Sequence, residues 1–312
     1  MSDTASPRAE AAALAGSAGV RLRDDLLAVH VSGEDRLTWL NGQITNDLRP
    51  VSRDTAIYAL AVTVRGKIMA DLWVLDRGSE LCVLLPHDAA DVVLESFDRQ
   101  IIMEDVELTR DPDLRVISVQ GPRAREVAAA VEPPPEVHGA DELGHGGALV
   151  LAAASETPAL FDRLAAEARR VGGGAVSEAG FDLARVRAGR PRFGRDFGAQ
   201  QYPQEAGLKE RAVSFGKGCY LGQEVVCTLE NRGRLTRRLV RFETTSDAVV
   251  APQTPLLDAD GAAAGHVTTA LLDPELGRGV ALGYVKSALA LSGREFSAGD
   301  ARLSLIGLVG EG

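Results

Sequence analysis

The stretch FGKGCYLGQEVVC, Phe215–Cys227, holds two of the three cysteines in a chain of 312 residues. Cys219 lies directly after a glycine and two residues after Lys217, and a helix is predicted to open with the residues that follow it. A neighbouring ammonium group and a helix N-terminus both favour the thiolate form of a cysteine. The stretch therefore predicts a reactive thiol at Cys219 that Lys217 assists, with an ordinary cysteine in a tight turn as the alternative.

The residues around Cys219 are predicted to present the thiol. Gly216 and Gly218 let the backbone bend and leave the sulfur uncovered. Gln223 and Glu224 are expected to hold the loop through hydrogen bonds to backbone groups. The predicted supporting residues are Gly218, Tyr220, Gly222, Gln223 and Glu224.

Charge is distributed unevenly along the chain. The net charge of −10 argues against affinity of the whole protein for nucleic acid or for an anionic membrane. The segment Asp182–Arg241, however, has 13 Lys and Arg residues against 6 Asp and Glu, a net charge of +7. This basic zone indicates a local anion site, and scattered solvated arginines are the alternative.

The number of cysteines indicates a reducing compartment. Three cysteines cannot form a disulfide framework, and we expect a cytoplasmic protein. The chain has no stretch of 18 apolar residues, so we expect no transmembrane helix, and residues 1–18 are expected to form a mobile tail or a weak helix. Cys219 and Cys227 would be about 12 Å apart along a helix, so we expect no metal site of the chain's own.

The order of predicted elements indicates an α+β fold. Over residues 19–238, strand pairs joined by short turns alternate with amphipathic helices, which favours antiparallel sheets over a doubly wound parallel sheet. From residue 239 to residue 312, short strands are separated by Gly, Asp and Pro turns. That segment predicts a small β-barrel at the C-terminus.

Several motifs together resemble one family. KGCYLGQE resembles the signature of the YgfZ-type folate-binding proteins, which are relatives of aminomethyltransferase, the T-protein of the glycine cleavage system. Four further segments resemble the same family, in order along the chain: NGQITNDL at 41–48, GKIMADLWVL at 66–75, VQGPRAREV at 119–127 and RAGRPRFGRDF…QYPQEAGL at 187–208. The segment at 265–285 resembles the family's C-terminal barrel.

The resemblance implies a fold and a function. The family fold is a ring of α+β subdomains around a central folate site, followed by a barrel. The implied ligand is tetrahydrofolate, the implied working thiol is Cys219, and the implied role is assembly or repair of iron–sulfur clusters in client proteins. Two departures argue against aminomethyl transfer: Ala70 stands where the T-protein has the first of two aspartates, and a glycine-rich, Glu-containing block has no counterpart in the segment 142–155.

The pterin ring of a folate offers an amino and an imino donor, which pair well with a carboxylate. Asp47, Asp71 and Glu205 are the predicted partners, in decreasing order, and Asn46 is placed with them. The alternatives are a turn or cap residue for Asp47 and a structural contact for Glu205.

Three functions remain open at this point. The first is a tetrahydrofolate-binding accessory protein for iron–sulfur assembly, and the second is an aminomethyltransferase or another folate-dependent one-carbon transferase. The third is an RNA-binding module built on the basic zone, against which the wide spacing of Phe193, Tyr202 and Phe215 argues, because stacking platforms group their aromatic rings.

Overall fold

The computed structural model describes residues 6–231 and 233–311. The strands are β1 Gly19–Leu22, β2 Leu26–Ser32, β3 Ile57–Val62, β4 Ile68–Asp76, β5 Leu81–Pro86, β6 Glu107–Asp111, β7 Leu114–Gln120, β8 Glu136–Gly139, β9 Gly147–Ala153, β10 Gly174–Ala175, β11 Arg237–Thr244, β12 Pro255–Leu257, β13 Ala263–Asp273, β14 Arg278–Lys286, β15 Glu295–Ala298 and β16 Ala301–Leu308. The helices are α1 Pro7–Gly16, α2 Arg36–Gln43, α3 His87–Asp98, α4 Ala124–Ala129, α5 Thr157–Arg170, α6 Glu178–Arg187, α7 Lys209–Ala212 and α8 Gln223–Asn231.

Two five-stranded sheets form the larger part of the molecule. The first has the strand order β3-β4-β5-β2-β6 and is antiparallel throughout. The second has the order β10-β1-β7-β9-β8, in which only β1 and β10 pair in parallel. Strands β1 and β2 therefore belong to different sheets, although they are neighbours in sequence.

The two sheets pack face to face. Leu60 and Leu84 of the first sheet and Leu149 of the second are buried in one shared core between them. The outer face of the first sheet is covered by α2 and α3, and the outer face of the second by α4 and α5. Because successive side chains of a strand point to opposite faces, each strand supplies residues to both layers.

The N-terminus contains a helix where the sequence predicts a mobile tail or a weak helix over residues 1–18. Helix α1 is capped by the side chain of Ser6, begins with Pro7 and buries Leu14. Glu10 is also buried, and its carboxylate accepts hydrogen bonds from the backbone N–H and hydroxyl of Ser177 at the start of α6. The sequence of the Ala-rich run does not reveal these partners, because they are distant along the chain. Residues 1–5 lie outside the described part of the chain.

A six-stranded closed antiparallel barrel follows, with the order β11-β14-β13-β12-β15-β16. Its core contains Phe242, Leu256 and Phe296. Helix α6 packs against the barrel through Leu183 and Val186. The predicted α+β class with a C-terminal barrel is confirmed, whereas the proposed boundary between residues 238 and 239 stays a prediction.

Candidate active site

A polar cavity opens at the inner faces of β3 and β4. Tyr58 and Trp73 face each other across the two strands, and Asp71 is opposite Leu60 two residues further along the ladder, on the same face. The hydroxyl of Tyr58 donates to Oδ2 of Asp71 at 2.8 Å. This bond fixes the carboxylate at the edge of the core that the two sheets share.

Asp71 lies where two adjoining cavities meet. The cavities have Arg23, Asp71 and Arg192 in common, and their volumes are about 60 and 540 Å³. Burial raises the pKa of Asp71 above its ordinary value, and this effect is opposed by the Tyr58 hydrogen bond and by the charges of Arg23 and Arg211. A carboxylate held in this way is ready to pair with a ligand that donates hydrogen bonds.

Arginines dominate the remaining wall of this site. Six of them line the smaller cavity, against two carboxylates: Arg21, Arg23, Arg185, Arg190, Arg192 and Arg211, with Asp71 and Glu142. The guanidinium of Arg211 lies 4.3 Å from the ring centre of Tyr58. Within the described residues Arg190 and Arg211 make no ion pair, and Nε of Arg190 is buried without a hydrogen-bond partner. The smaller cavity therefore has an excess of positive charge and attracts an anionic group, whereas four aspartates and three arginines line the larger one.

Glu142 is the second carboxylate in this cavity. It accepts hydrogen bonds from Arg23 and from the hydroxyl of Ser118, and its backbone N–H donates to Oε1 of Gln120 at 2.9 Å. These contacts anchor Glu142 to strand β7 of the second sheet. The segment 142–155 lacks the glycine-rich block of the T-protein, but its first residue, Glu142, places a carboxylate in the cavity.

The structure places Asn46 beside the cavity wall. Its side-chain amide donates to the carbonyl oxygens of Tyr58, at 2.8 Å, and of Arg211, at 3.3 Å. Asp47 instead binds Arg49, with its carboxylate 2.7 Å from Nε of that arginine. Neither residue lines the two cavities at Asp71. Asn46 thus connects strand β3 to Arg211, which precedes the cysteine loop. Asp47 stabilises a local turn with Arg49.

Glu205 lies in another part of the molecule. Its carboxylate is buried, accepts from the backbone N–H of Tyr202 at 3.1 Å and from Thr236 at 3.2 Å, and lies 3.6 Å from Nε of Arg237. It lines a separate cavity next to the barrel. The structure therefore does not bring Glu205 together with Asp71, and its contacts are those of the structural alternative.

The side chain of Lys217 is buried, although Cys219, two residues later, is exposed. Its ammonium donates to the carbonyl oxygens of Asn41, Ile44 and Asn46 at 2.5, 2.8 and 2.6 Å. These carbonyls lie in and just after the last turn of α2, where a cation is favoured. An ammonium group has three donors, and all three are used. The predicted role of Lys217 as a neighbour that stabilises a thiolate is therefore corrected to that of a clamp.

The three cysteines differ strongly in access. Cys219 is exposed, Cys227 is half-buried, and Cys82 is buried in the shared core of the sheets. Burial raises the pKa of Cys82 to about 12 and also raises the pKa of Cys227. Cys219 is thus the thiol that a reagent or substrate can reach, although α8 begins four residues after it rather than next to it.

The residues that follow Cys219 build the loop. Tyr220 is buried in the shared core of the sheets. Gly222 has a φ of +78°, and a Cβ atom there would lie 2.4 Å from the carbonyl oxygen of Thr63, so this position requires glycine. A Cβ atom at Gly218 would meet nothing within 4 Å. In residues 6–231 and 233–311 the side chains of Gln223 and Glu224 make no hydrogen bond, contrary to expectation.

Seven of the 13 cations of the basic zone pair with carboxylates among the described residues. Arg185 pairs with Asp182 and Asp196, and Arg187 pairs with Asp273. Arg190 and Arg211 are the members that line the cavity without an ion pair among the described residues. These two arginines are candidates for the local anion site, which stays a prediction.

Sequence reasoning missed four residues of the cavity: Tyr58, Glu142, Arg23 and Arg211. Tyr58 and Trp73 occupy alternate positions of apolar strands, which identifies their face but not the cavity. Arg23 and Glu142 come together only because β1 and β7 pair. No local signal marks such residues.

The described residues contain no group of three or more His, Cys, Asp or Glu side chains arranged to hold a metal ion. They also contain no helix that is both long and apolar enough to cross a membrane.

Comparisons with known proteins identify the relatives of this architecture. Residues 3–141 match the family model described as the GCVT N-terminal domain, and residues 237–301 match the glycine cleavage T-protein C-terminal barrel domain. The chain is 27% identical over 300 residues to an aminomethyltransferase of Frankia alni, covering 90% of this chain and 82% of that protein. It is 27% identical over 225 residues to the tRNA-modifying protein YgfZ of Yersinia enterocolitica, covering 69% of this chain and 68% of that protein.

A solved structure has the same fold. The glycine cleavage system aminomethyltransferase T from Bartonella henselae superposes with a TM-score of 0.83 at 17% identity, covering 97% of this chain and 89% of that one. The first match includes Tyr58 and Asp71, the cysteine loop lies between the two matches, and the matches follow each other in the order that the resemblance implied. The chain belongs to the YgfZ/GcvT family.

Proposed function

We propose that the protein binds tetrahydrofolate in the cavity at Asp71. The observation that carries this proposal is the Asp71 carboxylate, which lies at the junction of the two cavities and is held there by Tyr58. Each carboxylate oxygen accepts two hydrogen bonds, so the Tyr58 bond leaves both oxygens able to accept from the amino and imino groups of a pterin. The larger cavity, of about 540 Å³, is in the size range of small-ligand sites.

The arginines support the same ligand. The glutamyl tail of a folate carries carboxylates, and Arg190 and Arg211 are cations without a carboxylate partner in the described residues. Burial and the adjacent Arg211 lower the pKa of Arg190, which indicates that an anion would relieve the local repulsion. We therefore assign the pterin to Asp71 and the tail to this arginine pair.

The working group of the protein is proposed to be the thiol of Cys219. It is the exposed cysteine, and the clamp of Lys217 fixes its loop to the segment that carries Asn46, which in turn binds the main chain of Tyr58. The loop and the folate cavity are thus joined through one residue. We propose that this thiol serves the assembly or repair of iron–sulfur clusters in client proteins of the cytoplasm.

An aminomethyltransferase is the second candidate, and two structural observations favour keeping it. Ala70 is buried against α2 and α3, on the opposite face of β4 from Asp71, so a carboxylate there would not point into the cavity. Glu142 supplies a second carboxylate to the cavity itself. The departures that the sequence showed therefore leave transfer chemistry open.

Calorimetric titration with tetrahydrofolate tests the binding site. Asp71→Asn keeps the size of the side chain and removes its charge, and we expect roughly a 10- to 100-fold weaker affinity, the value of one charged hydrogen-bonded pair. Asp47→Asn is the matched control and should bind normally, because Asp47 is paired with Arg49 outside the cavity. Equal affinity of the Asp71 variant and the native chain would refute the site.

Complementation separates the two functions. In cells that lack the native protein, Cys219→Ser should retain tetrahydrofolate binding and fail to restore the activity of iron–sulfur enzymes. The aminomethyltransferase alternative predicts instead that cells lacking the protein keep the activity of their iron–sulfur enzymes. It also predicts that the purified protein forms methylenetetrahydrofolate from an aminomethyl donor.

A further inference from the structure

The turn between α3 and β6 exposes two adjacent apolar side chains. Ile102 is 82% exposed and Met103 is 93% exposed, the highest values for large apolar side chains in the described residues. Isolated apolar residues on a surface are ordinary, but adjacent ones that are almost fully exposed gain nothing from the fold.

The turn is firmly held, so its exposure is not a frayed end. The Oε2 atom of Glu104 accepts from the backbone N–H groups of Ile102 and Met103 at 2.9 and 3.0 Å. The backbone N–H of Asp105 donates to Oδ2 of Asp35 at 2.9 Å, and the N–H of Glu34 donates to Oδ2 of Asp105 at 2.9 Å. These reciprocal bonds fix the turn to the start of α2.

The close approach also requires a glycine. Gly33 has a φ of +98°, and a Cβ atom there would lie 2.0 Å from the carbonyl oxygen of Asp105. Leu37, in the first turn of α2, is exposed as well. A preformed turn that presents Ile102 and Met103 binds a partner without first having to be ordered.

The charges beside the turn define the partner. Glu34, Asp35, Glu104 and Asp105 are all exposed acidic residues. The guanidinium of the nearby Arg36 donates hydrogen bonds to the carbonyl oxygens of Gly33 and Gly78 at 2.9 and 3.0 Å, so it does not pair with these acidic residues. An apolar tip beside acidic groups is complementary to an apolar pocket with a basic rim.

We propose that the Ile102–Met103 turn is the docking point for a partner protein that presents a shallow apolar pocket rimmed by Lys and Arg. The methionine side chain adapts to such a pocket, and the acidic residues orient the encounter. The acidic groups oppose an anionic membrane as the occupant. None of the residues that line the Asp71 cavity belongs to this turn, so the proposal does not rest on folate binding.

Site-specific photo-crosslinking in cells tests the proposal. The probe p-benzoylphenylalanine is placed at position 103 of the full chain and, as the control, at position 92. Val92 is an apolar residue of α3 that is 60% exposed and lies outside the turn. We expect a single adduct at position 103 with one partner protein and none at position 92.

The identified partner is then purified and titrated with the chain. We expect Ile102→Ser combined with Met103→Ser to weaken binding at least tenfold, the native affinity to fall as salt rises, and tetrahydrofolate binding to remain unchanged. Circular dichroism checks that the double variant is folded. Equal adducts at both positions, no adduct at position 103, an adduct with a second copy of this chain, or a partner insensitive to salt and to the double variant would overturn the proposal.

Discussion

The Nζ atom of Lys217 lies 2.8 Å from the carbonyl oxygen of Ile44 and so ties the cysteine loop to the end of α2. The two segments are far apart in sequence, and this ammonium also binds the carbonyls of Asn41 and Asn46. A lysine in this position organises the loop rather than activating the thiol. The KGC triplet combines a buried anchor with an exposed cysteine two residues later.

Lys217→Met should lower the free energy of unfolding by about 2–4 kcal/mol, because it removes a charged donor from three carbonyls that remain buried. Lys286→Met is the matched control, since Lys286 is exposed at the end of β14, and its effect should stay within about 0.5 kcal/mol. Urea denaturation followed by circular dichroism measures both. A Lys217 variant as stable as the native chain would show that the clamp contributes nothing.

Gly222→Ala should destabilise the protein by about 2 kcal/mol or more, because it strains a left-handed backbone and drives a methyl group against the carbonyl of Thr63. Gly218→Ala, in the same loop, meets open space and should cost less than about 1 kcal/mol. Thermal unfolding of the two variants side by side provides the comparison. If both variants lose stability equally, the close approach at Gly222 is not what fixes the loop.

Iodoacetamide should alkylate Cys219 faster than Cys227, and Cys227 faster than Cys82, at neutral pH. The order follows exposure, and burial raises the pKa of the two slower thiols. Mass spectrometry of peptides from timed aliquots gives the three rates. If Cys219 reacts more slowly than Cys227, the loop shields the sulfur and the working-thiol proposal loses its basis.

The sequence predicts the architecture well because its signals are local. Alternating apolar residues define β3 and β4, and short strands between Gly and Asp turns define the barrel. The sequence cannot decide between a mobile tail and a helix at α1, because the stability of this helix depends on Ser177 and α6, which are distant in sequence. A contact between two segments that are far apart in sequence produces no hydrophobic periodicity in either segment.

The site was predicted only in part for the same reason. Asp71 is found from the motif 66–75, and the structure gives it a cavity. Glu205 also has a carboxylate, but that carboxylate pairs with Arg237 and accepts a hydrogen bond from Thr236. Lys217 stands close to Cys219 in sequence, but its side chain has the length to reach α2 instead. Residue type and spacing cannot show which partners a long polar side chain selects.

Tetrahydrofolate affinity should decrease as the pH falls through the pKa of Asp71. The ligand binds the ionised carboxylate, so affinity is complete above that pKa and is lost below it. Burial raises this pKa above the ordinary value of 3.8, so the loss should begin at a higher pH than for an exposed aspartate. Titrations between pH 7.5 and pH 4 measure the trend, and Asp71→Asn supplies the baseline because it cannot ionise. Protonation of the ligand itself changes both proteins alike, so the difference between the native chain and the variant isolates Asp71. A constant ratio of the two affinities across this range would show that the carboxylate does not contact the pterin.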